Sequence, residues 1–211
     1  MNVLVIGANG NIGKMTCNIL ADQEHSIKAM VRKEEQQDHF QHENITAVLG
    51  DLEDDFDHVY EGIEAVIFTA GSGGHTGPEK TDAVDYEGAV KSIQLAQKHK
   101  VKQFILVSSV GADTPEKGPE GLQHYLEAKG KADQELINST LNYTILRPGA
   151  LTDEDGMGMI QAKEKLNERG SIPRADVART LAACLGNENV SHKVFELIEG
   201  EVPIQTALEN L

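Results

Sequence analysis

Three glycines near the start of the chain separate a strand-like run from a helix-like run. The run MNVLVI is short and apolar, the run NIGKMTCNILADQ follows as a helix, and Gly7, Gly10 and Gly13 lie between them in a GxxGxxG pattern. Gly7 would permit a sharp turn, Gly10 a close approach of backbone to a phosphate, and Gly13 tight packing of helix on strand. Free N–H groups at such a helix start attract anions. The segment therefore predicts a dinucleotide-binding turn. Its candidate cofactor contacts are Gly7, Asn9, Gly10, Asn11, Ile12 and Gly13.

Short apolar runs alternate with longer helical patterns along almost the whole chain, which is typical of βαβ units and a parallel sheet. The pattern predicts one doubly wound Rossmann domain over residues 1–211, with a mostly parallel sheet of about seven strands and a substrate-side segment from about 150 to 211. The predicted strands are Asn2 to Ile6, Ser26 to Val31, Ile45 to Leu49, Ala65 to Thr69, Gln103 to Ser108, Tyr143 to Leu146 and Lys193 to Ile198. The predicted helical stretches are 11–22, 81–99, 124–139 and 175–186, although the apolar spacing within 124–139 is mixed.

Charge and hydropathy exclude several classes of partner. The chain carries 34 acidic and 19 basic residues, and the resulting net charge of −15 repels nucleic-acid phosphates. No run approaches the roughly 20 apolar residues of a membrane span, and the first residues lack a basic leader pattern. We expect a cytoplasmic monomer or small homo-oligomer that binds neither nucleic acid nor membrane. Cys17 and Cys184, set among apolar or small residues, are predicted to be buried thiols.

The residues after the second predicted strand bear on the choice of cofactor. NAD-binding proteins place an acid here to bind the adenosine ribose, whereas this chain has Arg32 and Lys33. A guanidinium can bind a 2′-phosphate through two hydrogen bonds, which an acid would repel. The pair predicts NADP(H). The alternative is that both cations are solvated residues opening the charged segment KEEQQDH.

Two further strand ends supply candidate cofactor contacts. Asp51 and Leu52 follow the third predicted strand, where the carboxylate would accept the adenine amino group, although such an Asp serves equally well as a turn or helix cap. Ala70 and Gly71 follow the fourth, and their small size would let the cofactor pass over the edge of the sheet. An ordinary glycine turn is the alternative.

Tyr125 and Lys129 are spaced by four residues, which places both on one face of a helix. The spacing alone is common, but its position in the chain is informative. The segments GANGNIG, VSSVGA, YLEAK and RPGAL follow one another in an order that resembles the short-chain dehydrogenase/reductase superfamily. More narrowly, they resemble its atypical branch of small NAD(P)-binding proteins, near the NmrA-like, flavin/biliverdin reductase-like and epimerase/dehydratase relatives. The resemblance covers essentially the whole chain.

The resemblance implies a role for each matching residue. Tyr125 would be the general acid/base, and Lys129 would hold the nicotinamide ribose and lower the Tyr pKa. Ser109 would hydrogen-bond the substrate oxygen, and Pro148 and Gly149 would border the nicotinamide pocket. Tyr125 as an ordinary helix residue is the alternative.

Three functions fit these features. They are a reductase that uses Tyr125, a flavin or quinone reductase that needs only bound NADPH, and a non-catalytic NADP(H) sensor or regulator. A sugar epimerase/dehydratase-like enzyme is a further alternative, but only about 60 residues follow Gly149, which leaves little room for a substrate domain. We expect a small carbonyl, quinone or flavin-like substrate, bound by the loops 71–80 and 111–123 and by residues after 149.

The histidines and one late acid carry weaker signals. Only His39 and His42 of the eight histidines are spaced near a second candidate ligand, and they lie in a polar segment, so we expect no metal site. Asp176 is interpreted as a helix cap or first-turn acid.

Overall fold

All seven predicted strands form in one sheet, and most of their residues are buried, except in the edge strand Ile45–Leu49. The computed structural model describes residues 1–73 and 77–211. Its strands are β1 (Asn2–Ile6), β2 (Ser26–Val31), β3 (Ile45–Leu49), β4 (Ala65–Phe68), β5 (Gln103–Val107), β6 (Tyr143–Pro148), β7 (Ala150–Thr152), β8 (Met159–Lys163), β9 (Ser171–Pro173), β10 (Lys193–Glu199) and β11 (Val202–Pro203).

The helices lie between these strands. They are α1 (Asn11–Asp22), α2 (Pro78–Thr81), a π-helix (Asp82–Gly88), α3 (Ala89–Lys98), α4 (Gln123–Ile137), α5 (Arg174–Cys184) and α6 (Ile204–Glu209). Short 3₁₀ turns occupy Glu34–His39, Asp57–Tyr60, Pro115–Lys117, Glu120–Leu122 and Glu188–Val190. No helix within the described ranges combines the length and apolar character that a bilayer-spanning segment needs.

Within the described residues, nine strands form the main sheet in the order β11-β8-β10-β6-β5-β4-β1-β2-β3. The pairs from β10 through to β3 are parallel, and β8 and β11 add antiparallel at one edge. The parallel strands β7 and β9 form a separate pair. The predicted number of about seven was therefore too low. The missed strands are two to five residues long, and runs such as MIQAK carry too little periodicity to predict a strand.

Two apolar cores cover the two faces of the sheet. Because side chains alternate along a strand, Val3 and Val5 contribute to the core beneath α1 and α5, and Leu4 and Ile6 to the core beneath α3 and α4. A parallel sheet covered on both faces needs near-continuous apolar strands. This explains the unbroken apolar runs from which the strands were predicted.

The two cysteine thiols lie where α1 packs against α5. Cys17 and Cys184 are both fully buried, which confirms the prediction. Burial raises the pKa of the Cys17 thiol to about 12 and also raises that of Cys184. Both therefore act as small apolar side chains.

Helix α4 forms despite the mixed apolar spacing of its sequence. Its inner face buries Lys129 and Asp133, and these charges interrupt the apolar stripe from which a helix would be recognised. A Cβ at Gly130 would lie 2.1 Å from the Ala112 carbonyl oxygen, so the helix packs directly on the backbone after β5.

The two predicted loops contain more helical structure than expected. The loop predicted over 71–80 is shorter, because α2 begins at Pro78, a favoured first helical residue. Gly74 of this loop lies outside the described residues. The loop predicted over 111–123 contains two of the 3₁₀ turns.

The glycine-rich turn is built from contacts between backbones. Gly7 has φ of +81°, and a Cβ there would lie 2.5 Å from the Ala70 nitrogen. A Cβ at Gly13 would lie 2.3 Å from the Gly7 carbonyl oxygen. The Gly10 N–H donates to that same carbonyl at 3.0 Å. Strand β1, helix α1 and the segment after β4 can meet this closely only through glycine.

Replacing Gly13 tests this contact. We expect Gly13→Ala to lower the free energy of unfolding by about 1 to 3 kcal/mol, because the added methyl group overlaps backbone atoms that cannot rotate away. Helix propensity alone would have the opposite effect, because alanine stabilises a helix by roughly 1 kcal/mol relative to glycine. Urea unfolding measures the difference. Gly121→Ala is the matched control, since a Cβ there meets no described atom within 4 Å. Equal losses in the two variants would contradict the argument.

Candidate cofactor-binding and active site

A cleft of about 340 Å³ opens at the carboxyl ends of β1, β2, β3 and β4. It lies beside β1, where the strand order reverses, and open α/β sheets bind nucleotides at this point. Its lining includes the predicted cofactor residues Gly7, Asn9, Gly10, Arg32, Asp51, Leu52, Ala70 and Gly71. In the described part of the chain, the lining does not include Asn11, Ile12, Gly13, Lys33, Lys129, Pro148 or Gly149.

Helix α1 starts at this cleft with an open N-terminus. Gly10 precedes its first turn, and among the described residues no side chain caps the turn and no acid lies in it. The N–H groups of residues such as Asn11 and Ile12 have no acceptor within the helix. Together with the helix dipole, they form a cradle that fits a pyrophosphate.

The 3₁₀ turn Glu34–His39 lines the cleft through Gln36 and contacts the glycine-rich turn through His39, and the sequence did not indicate either role. The Gln36 side-chain oxygen accepts hydrogen bonds from the backbone N–H groups of Arg32, at 3.0 Å, and Lys33, at 3.3 Å. The Nδ1 atom of His39 lies 2.7 Å from Oδ1 of Asn9 and so links this turn to the glycine-rich turn. Both residues lie in a charged stretch that offers no sequence signal for such a role.

Arg32 and Lys33 differ in their surroundings. Arg32 is exposed, lines the cleft and forms no ion pair with any described carboxylate. The Lys33 ammonium points to Glu35, at 3.6 Å, with both side chains well exposed. The guanidinium of Arg32 is therefore the cation available to a phosphate at this end of the cleft.

Asp51 caps a turn and borders the cleft, and its contact with an adenine stays a prediction. Its Oδ1 accepts the Glu53 N–H at 3.1 Å, which fixes the turn after β3, and its side chain also lines the cleft. Lys80 from α2 lines the same cleft and forms an ion pair with Glu53. This second cation was missed because it lies at the edge of a loop-like glycine-rich segment.

Helix α4 places Tyr125 and Lys129 one turn apart. Lys129 is 2 % exposed, and its Nζ lies 3.7 Å from Oδ1 of Asp85 in the π-helix, which is too long for a hydrogen bond. No residue in the described ranges accepts a hydrogen bond from this ammonium. A buried ammonium with donors to spare fits the hydroxyls of a ribose.

The pKa of Tyr125 differs from the expectation based on the resemblance. Burial raises the pKa of this phenol above its ordinary value of 10.0. The charge of Lys129 lowers it, as expected, but Asp85 and Asp133 raise it further. The expected activation of Tyr125 toward neutral pH is therefore corrected, because burial outweighs the effect of the lysine.

Behind Tyr125, a buried ion pair ties α4 to the sheet. Oδ2 of Asp133 accepts hydrogen bonds from the Ser108 hydroxyl at 2.9 Å and from Nε of Arg147 at 3.0 Å. Burial raises the pKa of Asp133, and Arg147 opposes that rise. Ser109, the predicted substrate contact, donates its hydroxyl to the Val110 carbonyl at 3.2 Å. Its contact with a substrate stays a prediction.

Pro148 ends β6, and Gly149 connects it to β7. The Gly149 N–H donates to the Leu197 carbonyl at 2.9 Å. A Cβ at Gly149 would lie 2.4 Å from the Gly170 carbonyl oxygen. The two residues thus hold the chain at the carboxyl edge, and their contact with a nicotinamide stays a prediction.

Asp176 lies in the first turn of α5, as predicted, and holds the segment after β7. Its fully buried carboxylate accepts the N–H groups of Met157 at 3.0 Å and Gly158 at 2.8 Å. It also pairs with Arg179 at 2.7 Å. These partners give Asp176 a structural role.

A second, shallower depression of about 760 Å³ lies at the β8 and β10 edge of the sheet, and it shares no lining residue with the cleft. Charged side chains such as Lys163 and Glu199 border it. Within the described ranges, no three His, Cys, Asp or Glu side chains come together as a metal site.

Comparison with known proteins agrees with this geometry. The model of the NAD(P)H-binding family matches residues 7–188. A Bacillus subtilis (strain 168) protein named as an uncharacterized sugar epimerase, YhfK, is 45% identical over 215 residues, which cover the whole of both chains. A solved structure from Bacillus halodurans, provisionally named an NAD-dependent epimerase/dehydratase, has a TM-score of 0.95 at 42% identity and covers 100% of both chains. The oxidoreductase ylbE from Lactococcus lactis has a TM-score of 0.90 at 34% identity, over 100% of this chain and 96% of its own.

The family match starts at the first glycine of the turn and runs through α5. It therefore includes the cleft, the π-helix and the Tyr125–Lys129 pair. This confirms the resemblance drawn from the sequence motifs, and the chain belongs to the NAD(P)H-binding family.

Proposed function

We propose that this protein is an NADP(H)-dependent reductase that acts on a small carbonyl, quinone or flavin-like substrate with Tyr125 as proton donor. The observation that carries the proposal is the buried Lys129, one helical turn from Tyr125, with an ammonium that forms no hydrogen bond with any residue that the structure describes. The name of the Lactococcus lactis relative, an oxidoreductase, supports this class of reaction.

The chain's own residues would perform the proton chemistry. When bound, the nicotinamide supplies the hydride. Lys129 would hold the ribose hydroxyls, and Ser109 would turn its hydroxyl from the Val110 carbonyl to the substrate oxygen. Because its pKa is raised, Tyr125 carries its proton at neutral pH and can donate it as negative charge develops on that oxygen. A raised pKa thus keeps the phenol in the protonated form that the acid role requires.

Charge at the cleft supports NADP(H) over NAD(H). Arg32 lines the cleft with no described carboxylate paired to it, in a chain of net charge −15. Such a guanidinium would bind a 2′-phosphate with two hydrogen bonds, and NAD(H) offers it no anion at that position.

Exposed apolar side chains support a flat, apolar substrate. Leu122, Leu151 and Met157 are exposed; Leu122 lies in the connection after β5, and the other two lie in the chain after β6. Large exposed apolar side chains in segments that follow the carboxyl ends of strands favour a binding surface for an apolar substrate.

A sugar epimerase is the second candidate function, and the name of the Bacillus subtilis relative favours it. An epimerase would also use Tyr125 and Lys129, but it would return the hydride to its substrate. Net oxidation of NADPH by an acceptor therefore distinguishes the reductase. A non-catalytic sensor would show no turnover with either class of substrate.

Removing the Tyr125 hydroxyl tests the proton donor. We expect Tyr125→Phe to reduce the rate of NADPH oxidation with carbonyl acceptors by a factor of about 10² to 10⁴, the usual contribution of a general acid. The measurement is the loss of NADPH absorbance over a panel of carbonyls, quinones and flavins. Tyr143→Phe is the control, because Tyr143 lies at the amino end of β6 with its ring against His192. Undiminished turnover in the Tyr125 variant would leave direct hydride transfer to a quinone or flavin as the reaction.

The pH dependence follows from the raised pKa of Tyr125. As an acid, the phenol is active while protonated, so reduction should continue unchanged through neutral pH and decline only as the pH rises through its pKa, above 10.0. The decline should be absent from any residual activity of Tyr125→Phe. A decline near neutral pH in the wild-type protein alone would show that Lys129 outweighs burial after all.

Replacing Arg32 tests the choice of cofactor. We expect NADPH to bind at least about tenfold more tightly than NADH, or about 1.4 kcal/mol, and Arg32→Ala to remove most of that difference. Calorimetric titration with each cofactor measures it. Arg169→Ala is the control, because Arg169 is exposed and lies outside the cleft lining. Equal affinities for the two cofactors in the wild-type protein would refute the assignment to NADP(H).

A further inference from the structure

Asp85 is a fully buried carboxylate between the two parts of the proposed cofactor site. It lies in the π-helix, and its Oδ2 accepts the backbone N–H of Ser72 at 3.0 Å. Ser72 and Gly71 belong to the segment after β4 and line the cleft. One carboxylate oxygen therefore holds the wall of the cleft.

The other oxygen of Asp85 faces Lys129 on helix α4. Oδ1 lies 3.7 Å from Nζ of Lys129, and it accepts no hydrogen bond from any described residue. A Cβ at Gly71 would lie 3.3 Å from this oxygen, so the backbone after β4 passes close to it. Without the Asp85 carboxylate, Lys129 would be a buried charge with no ion-pair partner among the described residues, and burying an unpaired charge is costly in free energy.

The π-helix places Asp85 at this position. A π-helix holds more residues per turn than an α-helix, and such segments are frequent at functional sites. A second contact lies just before the π-helix, where the hydroxyls of Thr81, the last residue of α2, and Ser72 are 3.2 Å apart. The segment after β4 is thus linked to α2 through Thr81 and to the π-helix through Asp85.

We propose that Asp85 is a positioning residue, which fixes the Lys129 ammonium and the segment after β4 relative to each other. It would thereby set the spacing between the nicotinamide-ribose contact and the rest of the cofactor site. This inference rests on the proposed function in that Lys129 is taken as a cofactor contact.

The charges around Tyr125 offer a readout that needs no cofactor. Lys129 lowers the pKa of this phenol, and Asp85 and Asp133 raise it. Asp133 is paired with Nη2 of Arg147 at 2.9 Å, so Asp85 is the carboxylate left to pair with Lys129. At the exposed start of α4, His124 and Asp82 pair with each other at 3.0 Å.

A double-mutant cycle on Tyr125 ionisation tests the coupling. Lys129→Met should raise the pKa of Tyr125 in the wild-type background, because the lowering charge is lost. In the Asp85→Asn background the same change should raise it clearly less, because Lys129 is no longer held beside the phenol. The near-ultraviolet absorbance of tyrosinate reports the titration, since the chain has no tryptophan. Subtraction of the same titration in Tyr125→Phe assigns the signal, and circular dichroism confirms the fold at each pH.

Affinity for NADPH provides the second arm of the cycle. We expect Asp85→Asn to weaken NADPH binding by about tenfold in the wild-type protein. In the Lys129→Met background the same change should weaken binding much less, because the lysine that Asp85 positions is already absent. Asp82→Asn, in the same π-helix but exposed, is the matched control and should leave both the titration and the affinity unchanged. Asp85→Ser replaces the asparagine variant if that variant does not fold.

The two proposals fail in different ways. An equal effect of Lys129→Met on Tyr125 ionisation in both backgrounds would overturn the role of Asp85, whatever the activity. Absence of NADPH oxidation with every acceptor would overturn the reductase and leave the titration result intact.

Discussion

The site depends on contacts between backbones at the carboxyl end of β1. The Gly7 carbonyl lies within the space that a Cβ on Gly13 would need, and Ala70 lies equally close to Gly7. Helix α1 is thereby brought against the strand, so that its free N–H groups face the end of the sheet. Arg32 after β2 and Asp51 after β3 line the same cleft, because parallel pairing brings the carboxyl ends of β2 and β3 beside that of β1.

Positive charge is unevenly distributed in a chain with so many acids. Arg32 and Lys80 border the open cleft, whereas Lys129 and Arg147 lie inside the protein, each beside a buried aspartate. The glycine-rich turn, Arg32 and the Tyr125–Lys129 pair were recognisable from sequence, because each follows a strand or helix at a characteristic spacing. Asp85 was not, because one acid within a helical pattern has no distinctive spacing. The raised pKa of Tyr125 depends on burial, which spacing alone does not reveal.

The fold could be predicted where strands are long and apolar. Strands β4 and β5 are buried along their whole length, so their sequences are unbroken apolar runs or nearly so. Helix α4 was harder, because Lys129 and Asp133 occupy positions where apolar residues would show the period. The short strands β7, β9 and β11 form through pairing with distant segments, and two or three residues carry no pattern of their own.

A backbone hydrogen bond between Ala150 and Gly170 joins the two ends of the segment between them. The N–H of Ala150 donates to the Gly170 carbonyl at 3.0 Å, so the chain leaves the carboxyl edge and returns to the same place. The entropic cost of closing such a loop rises slowly with its length. Strand β8 within this segment is fixed in the sheet by β10, so only the connections on either side of β8 can change in length while the two ends stay in place. Such changes would leave the glycine-rich turn and the cleft intact, because the described lining of the cleft includes no residue of this segment.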